Sequence, residues 1–501
     1  MKYRCVSLFL CIGLLISGCA AGNNGQINNE TTDVLSMNDT PDLSYEVPVS
    51  VPHILIDQVG YTTSGKKTAI FRGNELPNEF EVVDSQTGEV VYSGKVKPKE
   101  RETEAGDLIG YPEFTELTEE GSYYIRGSIF GRSYDFNIAD DVYDKVFTTA
   151  IDMLGNTQTK KINVSFSRVQ SEQPEKILQG GWITDVFGNQ DLRTASEVMM
   201  TAMAAYELYT HSFAVKDETG VEDTTQIPQI LVYLKQQADW MQLLQDDKSG
   251  GVYAGIVVKN NKSVPTYEME AVDETATASF AATMAKFSYI YKKYDQQYAS
   301  QCLKAADRAW KYINKQQRAA EENRQEASED IMFSAAVELY RASGWNSYHL
   351  IAKKIMETNP DVTDTPWATY ASVTYLTTRH AVDRKYCEIL MKQLMSCAED
   401  ISDNARAGAY LTEGDAEFTN TKELLWNMVI LSIADYVITN HEYATVIENH
   451  LHYFFGCNPK AVCLVQEDGC DSVNENGTGI QDNIKLNAYH IFMLSQIMND
   501  R

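Results

Sequence analysis

The segment 180–191, GGWITDVFGNQD, holds two carboxylates that could take part in acid–base chemistry, Asp185 and Asp191. A carboxylate placed beside a water molecule can act as a general base. Phe187 and Asn189 lie between these two acids and cannot accept a proton. Asp191 also directly precedes the helical pattern LRTASEVMMTAMAAYELY, where aspartate commonly caps a helix N-terminus. We favour a cap or loop role for both aspartates over a role as base.

Short alternating runs broken by turn residues fill residues 53–139. Runs such as HILIDQVGY, FEVVDS and GSYYIRG tend to alternate apolar and polar residues, the pattern of a strand with one buried face. Turns at Gly65, Gly88 and Gly121 separate the runs. This pattern predicts an antiparallel β-sandwich over residues 53–139.

From residue 140 to residue 501 the period changes to that of helices. Apolar residues recur at three-and-four spacing in ASEVMMTAMAAYELY, IPQILVYLKQQADWMQLLQ, ETATASFAATMAKFSYIYKKY, YASQCLKAADRAWKYINKQ, SEDIMFSAAVELYRASG and ELLWNMVILSIADYVI. Many helices, short connections and almost no strand signal predict an all-α domain. Helix pairs alone allow a bundle, a solenoid or a toroid, and the absence of a fixed repeat period disfavours a simple solenoid.

Several sequence blocks follow one another along the helical part: GGW at 180–182, SGGVY at 249–253, ETATASFAA at 274–282 and FFGCNP at 454–459. With further blocks at 298–310 and 335–344, they resemble glycoside hydrolase family 9, the inverting cellulases. QVGY at 58–61 and its surroundings resemble the immunoglobulin-like module that precedes many catalytic domains of that family. The resemblance implies an N-terminal immunoglobulin-like sandwich followed by an (α/α)6 barrel with a substrate cleft at one end.

The resemblance also implies where a catalytic base should lie. In the family, Gly-Gly-Trp continues as x-Asp-Ala-Gly-Asp, and the two aspartates hold and deprotonate the attacking water. Aligned without a gap, Thr184 and Phe187 occupy the aspartate positions. With one inserted residue, Asp185 recovers the first aspartate and Asn189 lies near the second. The alignment therefore predicts that the catalytic base of the family is absent here, unless Asp185 or Asp191 replaces it.

The family acid is the glutamate of an Asn-Glu-Val-Ala-Ile-x-x-Asn-Ala segment. Counting back from Asn487 and Ala488 places Gln481 at that position. Glutamine can bind a sugar hydroxyl but cannot donate a proton as an acid. Asp482 is one residue further, which on a helix is about 100° around the axis. An inverting pair must lie about 6.5–9.5 Å apart, so Asp482 or the loop acid Glu475 would have to reach across the cleft.

The sugar-binding features of the family are altered as well. Its His-His-Arg loop has no counterpart here, and its Trp-Gly-Ser-Asn platform reads as TNTK at 419–422. Trp182 and Phe418 remain candidates for stacking on a sugar, and Gln481 for a polar contact. Aromatic residues serve cores as well as binding surfaces, so a core role stays open for each of them.

The first residues have the pattern of an export signal. Lys2 and Arg4 precede an apolar run over residues 6–16, which is too short to span a bilayer as a mature helix. ISGC at 16–19 resembles a bacterial lipobox, which implies cleavage before Cys19 and lipidation of its thiol. We expect a signal peptide over 1–18, a flexible polar tether over 19–52, and an exported lipoprotein that faces outside the cytoplasm. An ordinary signal peptide is the alternative.

Charge and cysteine usage restrict the partners. A net charge of -27 argues against nucleic acid and anionic lipid, so membrane contact would come only through the lipid anchor. Cys457, Cys463 and Cys470 can pair internally or bind a metal, but no CxxC spacing or partnering histidine supports a metal. We predict no cofactor. Domains of family 9 often bind calcium structurally, but no Asp-rich loop here matches a calcium signature.

Three hypotheses follow. The leading one is a surface lipoprotein of family 9 architecture that binds β-glucan or oligosaccharide chains, or supports partner hydrolases, with hydrolysis absent or strongly reduced. The second is an active inverting β-1,4-glucanase with Asp185 or Asp191 as base and Asp482 or Glu475 as acid. The third is a structural envelope protein that uses the inherited fold for protein contacts.

Overall fold

The computed structural model describes residues 51–501, except 103–105, 167–174, 217–218, 260–264, 319–326, 360–364, 415–417, 440, 466–478, 481–482 and 500–501. The predicted signal peptide, lipidation at Cys19 and most of the tether lie outside the described residues. The predictions for Glu475, Gln481, Asp482 and Cys470 also lie outside them.

The N-terminal part is a β-sandwich. Its strands among the described residues are β1 (Ile54–Leu55), β2 (Ile70–Gly73), β3 (Glu79–Asp84), β4 (Val90–Lys95), β5 (Lys97–Glu102), β6 (Leu108–Tyr111), β7 (Gly121–Gly127), β8 (Gly131–Arg132) and β9 (Phe136–Ile138). One sheet has the order β1-β2-β6-β5 and the other β4-β3-β7-β8, with β9 also paired to β7. The core between them is aromatic: Tyr61 contacts Phe114 and Phe136 edge to face, with ring centroids 5.2 and 5.4 Å apart.

The C-terminal part is a double ring of helices. The inner ring consists of α2 (Leu192–Leu208), α4 (Glu274–Tyr291), α6 (Glu329–Ser343), α8 (Pro366–Thr377), α10 (Thr421–Ile438) and α12 (Ile484–Asn499). Each inner helix contacts the next, and α12 closes the ring against α2. The outer helices are α1 (Asp144–Asn156), α3 (Gln229–Leu243), α5 (Gln296–Arg318), α7 (Asn346–Thr358), α9 (Arg384–Ala407) and α11 (Ala444–Phe454). This is the (α/α)6 barrel that the resemblance implied.

The two rings differ in sequence because they differ in burial. Inner helices such as α4 are buried over most of their circumference and are apolar or small around it. Outer helices such as α9 bury one stripe and expose a charged face. No helix within the described ranges is long and apolar enough to span a bilayer.

Short strands also occur within the helical part, where the sequence showed almost no strand signal. They are β10 (Ile162–Phe166), β11 (Lys176–Leu178), β12 (Gln190–Asp191), β13 (Val252–Tyr253), β14 (Gly255–Lys259), β15 (Thr266–Met269) and β16 (Val272–Asp273). Five form a sheet in the order β11-β10-β15-β14-β12, and β13 pairs with β16. An alternating pattern cannot stand out in runs of two to five residues. β12 and β16 lead directly into α2 and α4, so they fix where these inner helices begin.

The sandwich docks on the barrel through two segments that the sequence singled out, QVGY at 58–61 and FFGCNP at 454–459. The backbone N–H of Gln58 donates to Phe455 O at 2.9 Å, and its Nε2 donates to Ala461 O at 2.8 Å. The neighbouring Asp57 is fully buried, and its Oδ2 lies 2.8 Å from Nδ1 of His452 on α11. These matched blocks therefore form part of the interface between the two domains.

Candidate active site

The predicted catalytic segment lies at the end of the barrel where the inner helices begin. Asp191 is the N-cap residue of α2, Asp273 that of α4 and Thr365 that of α8, and each accepts a hydrogen bond from a backbone N–H of the first turn. Phe418 lies just before α10. Helix N-termini carry partial positive charge, so this end of the barrel favours carboxylates and other acceptors.

The carboxylate of Asp185 holds its own loop together. Oδ1 accepts hydrogen bonds from the backbone N–H of Phe187 at 2.9 Å and of Asn189 at 3.0 Å, and Oδ2 accepts from Asn189 Nδ2 at 2.7 Å. Asn189 Oδ1 accepts from the N–H of Val258 at 2.8 Å, which ties the loop to β14. At the tip of the loop, Val186 is 94% exposed and Phe187 68% exposed. An exposed phenyl ring thus stands where the ungapped alignment places a carboxylate.

The carboxylate of Asp191 is used in helix capping and an ion pair. Oδ1 accepts from the N–H and the hydroxyl of Thr194, both at 2.8 Å. Oδ2 accepts from Nε and Nη2 of Arg193 at 3.2 and 3.1 Å. The N-cap interpretation is therefore confirmed, and both oxygens of this carboxylate already have partners.

Glu270 is a further carboxyl group at this end, and the sequence analysis missed it. Burial raises the pKa of the Glu270 carboxyl, and the charges of Asp191 and Asp273 raise it further, while Arg193 opposes the effect. A carboxyl group with a raised pKa keeps its proton to higher pH, as a proton donor must. No motif marks Glu270, because only the pairing of strand β14 with β12 and β15 brings it beside Asp191.

The Gly-Gly-Trp block serves packing. Trp182 is 0% exposed, its Nε1 donates to Leu154 O at 2.7 Å, and its backbone N–H donates to Gln237 Oε1 at 3.1 Å. Gly181 has φ +83, and a Cβ there would lie 2.4 Å from the ring of Trp240. As placed, Trp182 cannot stack on a sugar, because its whole indole is covered by the core. Its candidate role in substrate binding is therefore corrected to a structural one.

Phe418 has a different environment. Its side chain is only partly buried, its ring lies 6.0 Å from that of Tyr453, and Lys460 Nζ lies 5.7 Å from its centroid. Its φ of +57 is unusual for a residue other than glycine. Strained backbone of this kind clusters at functional sites. The structure thus leaves Phe418 available as an aromatic face at the end of the barrel where the inner helices begin.

A polar and aromatic cluster inside the ring was not recognised from the sequence. Trp426 on α10 lies 5.7 Å from Tyr370 and 5.5 Å from Tyr489, measured between ring centroids. Tyr489 donates to Glu197 Oε1 at 2.7 Å, and Lys485 Nζ lies 2.6 Å from Glu197 Oε2. In the sequence, the five residues of this cluster are ordinary helix positions, and no motif connects them. Only closure of the ring brings α2, α8, α10 and α12 together around them.

Comparison with known proteins decides the family. The model of glycosyl hydrolase family 9 matches residues 163–475. The chain belongs to glycosyl hydrolase family 9. The cellulase N-terminal ig-like domain matches residues 50–128, so both parts of the resemblance are confirmed.

Relatives within family 9 are distant in sequence. A cellodextrinase of Butyrivibrio fibrisolvens is 25% identical over 476 residues, which cover 83% of this chain and 85% of the relative. A xyloglucan-specific endo-β-1,4-glucanase of Bacteroides ovatus is 22% identical over 486 residues, which cover 84% of this chain and 81% of that enzyme. A solved family 9 structure from Bacteroides ovatus has a TM-score of 0.74 at 18% identity and covers 89% of this chain and 99% of its own. AaCel9A, solved in complex with a cellobiose-like isofagomine, matches with the same TM-score and coverage at 17% identity.

The acid of this family 9 chain stays a prediction. Helix α12 begins at Ile484, after Gln481 and Asp482, and both of these residues lie outside the described part of the chain together with Glu475. The position of the proton donor therefore depends on the sequence alignment, whereas the position of the base can be judged from the structure.

The cysteines near the C-terminus are described in part. Cys457 is a buried free thiol, and burial raises its pKa. Cys463 is also buried, and its Sγ donates to Val465 O at 3.4 Å. Across the ranges that the structure describes, no group of three or more His, Cys, Asp or Glu residues is arranged to hold a metal ion.

Proposed function

We propose that this family 9 protein binds β-1,4-glucan chains or oligosaccharides in its cleft and hydrolyses them weakly or not at all. The engagement of Asp185 and Asp191 in local hydrogen bonds carries the proposal. A general base must be free to take a proton from water, and each placed acid–base group contributes about 10²–10⁴ in rate. Phe187 aligns with the base without a gap and Asn189 lies near it with one inserted residue, and neither side chain can supply that contribution.

The substrate class is inferred from relatives and from the cleft end. The relatives include a cellodextrinase and a xyloglucan-specific endo-β-1,4-glucanase. Phe187, Phe418 and Trp426 place aromatic rings at the end of the barrel where the inner helices begin. Flat aromatic faces stack on sugar rings, and neutral glucan is compatible with the net charge of -27. Support of partner hydrolases that cleave the bound chain is a further part of this proposal.

Hydrolysis is the first test. We expect the full chain, incubated with phosphoric-acid-swollen cellulose, mixed-linkage glucan and xyloglucan, to release no more reducing ends than a buffer blank. The matched variant is Asp191→Asn, because asparagine caps a helix as well as aspartate but cannot act as a base. Clear turnover by the unmodified chain would defeat the proposal, and loss of that turnover in Asp191→Asn would identify Asp191 as the base.

An active hydrolase is the second candidate, and Glu270 favours it. Its raised pKa suits a proton donor, and Asp191 lies close enough for its charge to affect that pKa. If the unmodified chain releases reducing ends and Glu270 is the proton donor, then Glu270→Gln should abolish this turnover. Unchanged turnover in Glu270→Gln would exclude this role.

Glucan binding is the second test. We expect Phe187→Ala to weaken retardation in glucan-containing native gels by about 3–10-fold, because an aromatic contact contributes about 0.5–1.5 kcal/mol. Trp345→Ala is the matched control: Trp345 is 57% exposed and lies between α6 and α7, at the opposite end of the barrel. Equal retardation of both variants and the unmodified chain would remove Phe187 from the binding surface. No retardation on any glucan would favour the protein-contact hypothesis instead.

The proposed location is that of an exported lipoprotein with Cys19 as the lipidated residue. The charged start, the short apolar run and ISGC at 16–19 support it. In a bacterial host, a clickable palmitate analogue should label the unmodified chain and leave Cys19→Ala unlabelled. Equal labelling of both would show that Cys19 is not the anchor.

A further inference from the structure

A polar cavity opens at the opposite end of the barrel, where the inner helices end. Its volume is about 300 Å³, and its walls include Glu207, Lys286, Tyr289, Arg341, Arg379 and Tyr436. A second cavity of about 540 Å³ adjoins it and shares Tyr289, Arg341 and Arg379. No residue of this cavity pair belongs to the predicted catalytic segment, so the cavity pair is separate from the predicted substrate cleft.

The cavity floor is a buried network of four charges. Glu207 accepts from Lys286 Nζ at 2.5 Å and from Arg341 Nη1 at 2.6 Å. Glu338 Oε2 accepts from Arg341 Nη2 at 2.7 Å, and Glu338 Oε1 lies 3.4 Å from Lys286 Nζ. Burial of four charges is expensive, and well-packed apolar residues would stabilise the barrel at least as well. Such a network is therefore more typical of a binding site than of a helix-packing core.

The cavity floor is accessible through Glu207, and Arg341 has one N–H donor without a hydrogen-bond partner among the described residues. Glu207 is the most exposed member, at 20% of its side chain, against 6% or less for the other three. Nε of Arg341 is buried and has no hydrogen-bond partner among the described residues. The Arg341 guanidinium lies 4.3 Å from the ring centroid of Tyr289. An entering ligand therefore meets a charged floor beside an aromatic face.

The mouth of the cavity adds positive charge and a second aromatic face. Within the described residues, the side chains of Arg379 and Lys292 form no hydrogen bond or ion pair. The linings of the two cavities together with Glu338 contain four lysines and arginines against two glutamates, in a chain whose net charge is -27. Tyr289 and Tyr436 are 39% and 40% exposed at the mouth. The site thus combines excess positive charge, a carboxylate acceptor and two phenol rings.

We propose that this cavity binds a small hydroxylated organic anion, a sugar acid or a sugar phosphate. The anionic group pairs with Arg379, hydroxyl groups donate to Glu207, and the ring of the sugar packs on Tyr289 or Tyr436. There is an alternative explanation for the cations alone: positive charges near helix C-termini offset the helix dipole, and that role requires no ligand. Two exposed tyrosines and an unpaired arginine at one opening are not needed for that purpose.

Isothermal titration calorimetry on the full chain at low ionic strength tests the proposal. The probes are glucuronate, glucose 6-phosphate and glucose, and we expect at least one anion to bind while glucose does not. Arg379→Gln should weaken that binding by about tenfold or more, the effect of losing one charge-assisted contact. Arg384→Gln should bind as the unmodified chain does, because Arg384 is 93% exposed, pairs with Glu388 and lies outside both cavities.

The outcomes separate the alternatives. Binding of glucuronate alone identifies a carboxylate ligand, and binding of glucose 6-phosphate alone identifies a phosphate ligand. Absence of anion binding, equal binding of glucose, or equal affinity of Arg379→Gln and Arg384→Gln would overturn the proposal. Phe187→Ala, at the other end of the barrel, should leave the titration unchanged, so that a failure of glucan binding in the cleft does not affect this test.

Discussion

Replacing Glu338 by glutamine is expected to lower the free energy of unfolding by about 3–5 kcal/mol. Glu338 is 0% exposed and accepts from Arg341 at 2.7 Å and from the hydroxyl of Thr374 at 2.7 Å. Glutamine keeps the shape but removes the charge, which leaves Lys286 and Arg341 buried with only Glu207 to balance them. Its amide N–H group would also point at a cation that can only donate.

Urea denaturation followed by far-UV circular dichroism measures this loss. The matched control is Glu388→Gln, in which the exposed partner of Arg384 loses the same charge. Surface ion pairs contribute little, so its midpoint should stay near that of the unmodified chain. If Glu338→Gln and Glu388→Gln unfold at the same urea concentration, the prediction is wrong. Water or neighbouring groups would then compensate for the lost charge.

Replacing Asp57 by alanine is expected to have a comparable effect at the domain interface, about 3–5 kcal/mol. Oδ1 of Asp57 accepts from the backbone N–H groups of Val59 and Gly60, both at 2.9 Å. Oδ2 faces His452 Nδ1 at 2.8 Å and accepts from the hydroxyl of Tyr143 at 3.2 Å. Alanine removes the acceptor of the two backbone N–H groups and the carboxylate that faces His452, whereas the Tyr143 hydroxyl still donates to Gly60 O at 2.7 Å.

Two variants separate the causes in the same urea experiment. Asp57→Asn keeps an oxygen for the two backbone donors but removes the charge, and burial already raises the pKa of Asp57. We therefore expect it to cost less than Asp57→Ala. Asp84→Ala removes a similar turn-forming aspartate at a position that is only partly buried, where Oδ1 accepts from the N–H groups of Gln86 and Thr87. If Asp57→Ala and Asp84→Ala unfold at the same urea concentration, the buried interface is not what Asp57 stabilises.

The interface also reaches the segment that leads to the cleft. Tyr111 of the sandwich donates to Ala409 O at 2.7 Å, and Arg72 donates to Pro459 O at 2.7 Å and to the hydroxyl of Tyr410 at 3.3 Å. The segment that begins at Ala409 continues to Phe418 before α10 begins. The sandwich thus holds the start of this segment at Ala409 and Tyr410.

The two ends of the barrel have different chemistry. At the end where the inner helices begin, the hydrogen bonds of Asp185 and Asp191 serve the loop and the helix cap, and Phe187 is exposed. At the end where they finish, Glu207 and Arg341 form part of a buried charged floor. Weak hydrolysis at the first end and anion binding at the second are independent proposals, because no residue takes part in both.

Much of the fold could be predicted from the sequence, because its signals are local. The three-and-four spacing that marks α2, α4 and α6 follows from burial of a helix face, and alternation marks β3 and β7 in the same way. The N-cap role of Asp191 follows from its place before an apolar helix, and the structure confirms it. Family membership depends on the order of blocks such as GGW and FFGCNP, which is also a property of the linear chain.

The remaining features depend on contacts between segments that are distant in the chain. Trp182 was a candidate for stacking on a sugar, and only the packing of α1 and α3 around it shows that its indole is covered. Glu270 meets Asp191 only because β14 pairs with β12 and β15, and these strands are too short to leave a pattern. Glu207 and Glu338 face the same cations only when α2, α4 and α6 close one ring. The sequence by itself determined the main helices, the strands of the sandwich, their order and the family, because periodicity and capping act within a few residues. Tertiary structure alone decided which polar groups meet and which carboxylates are already engaged, because those pairings arise only when the ring and the sheets close.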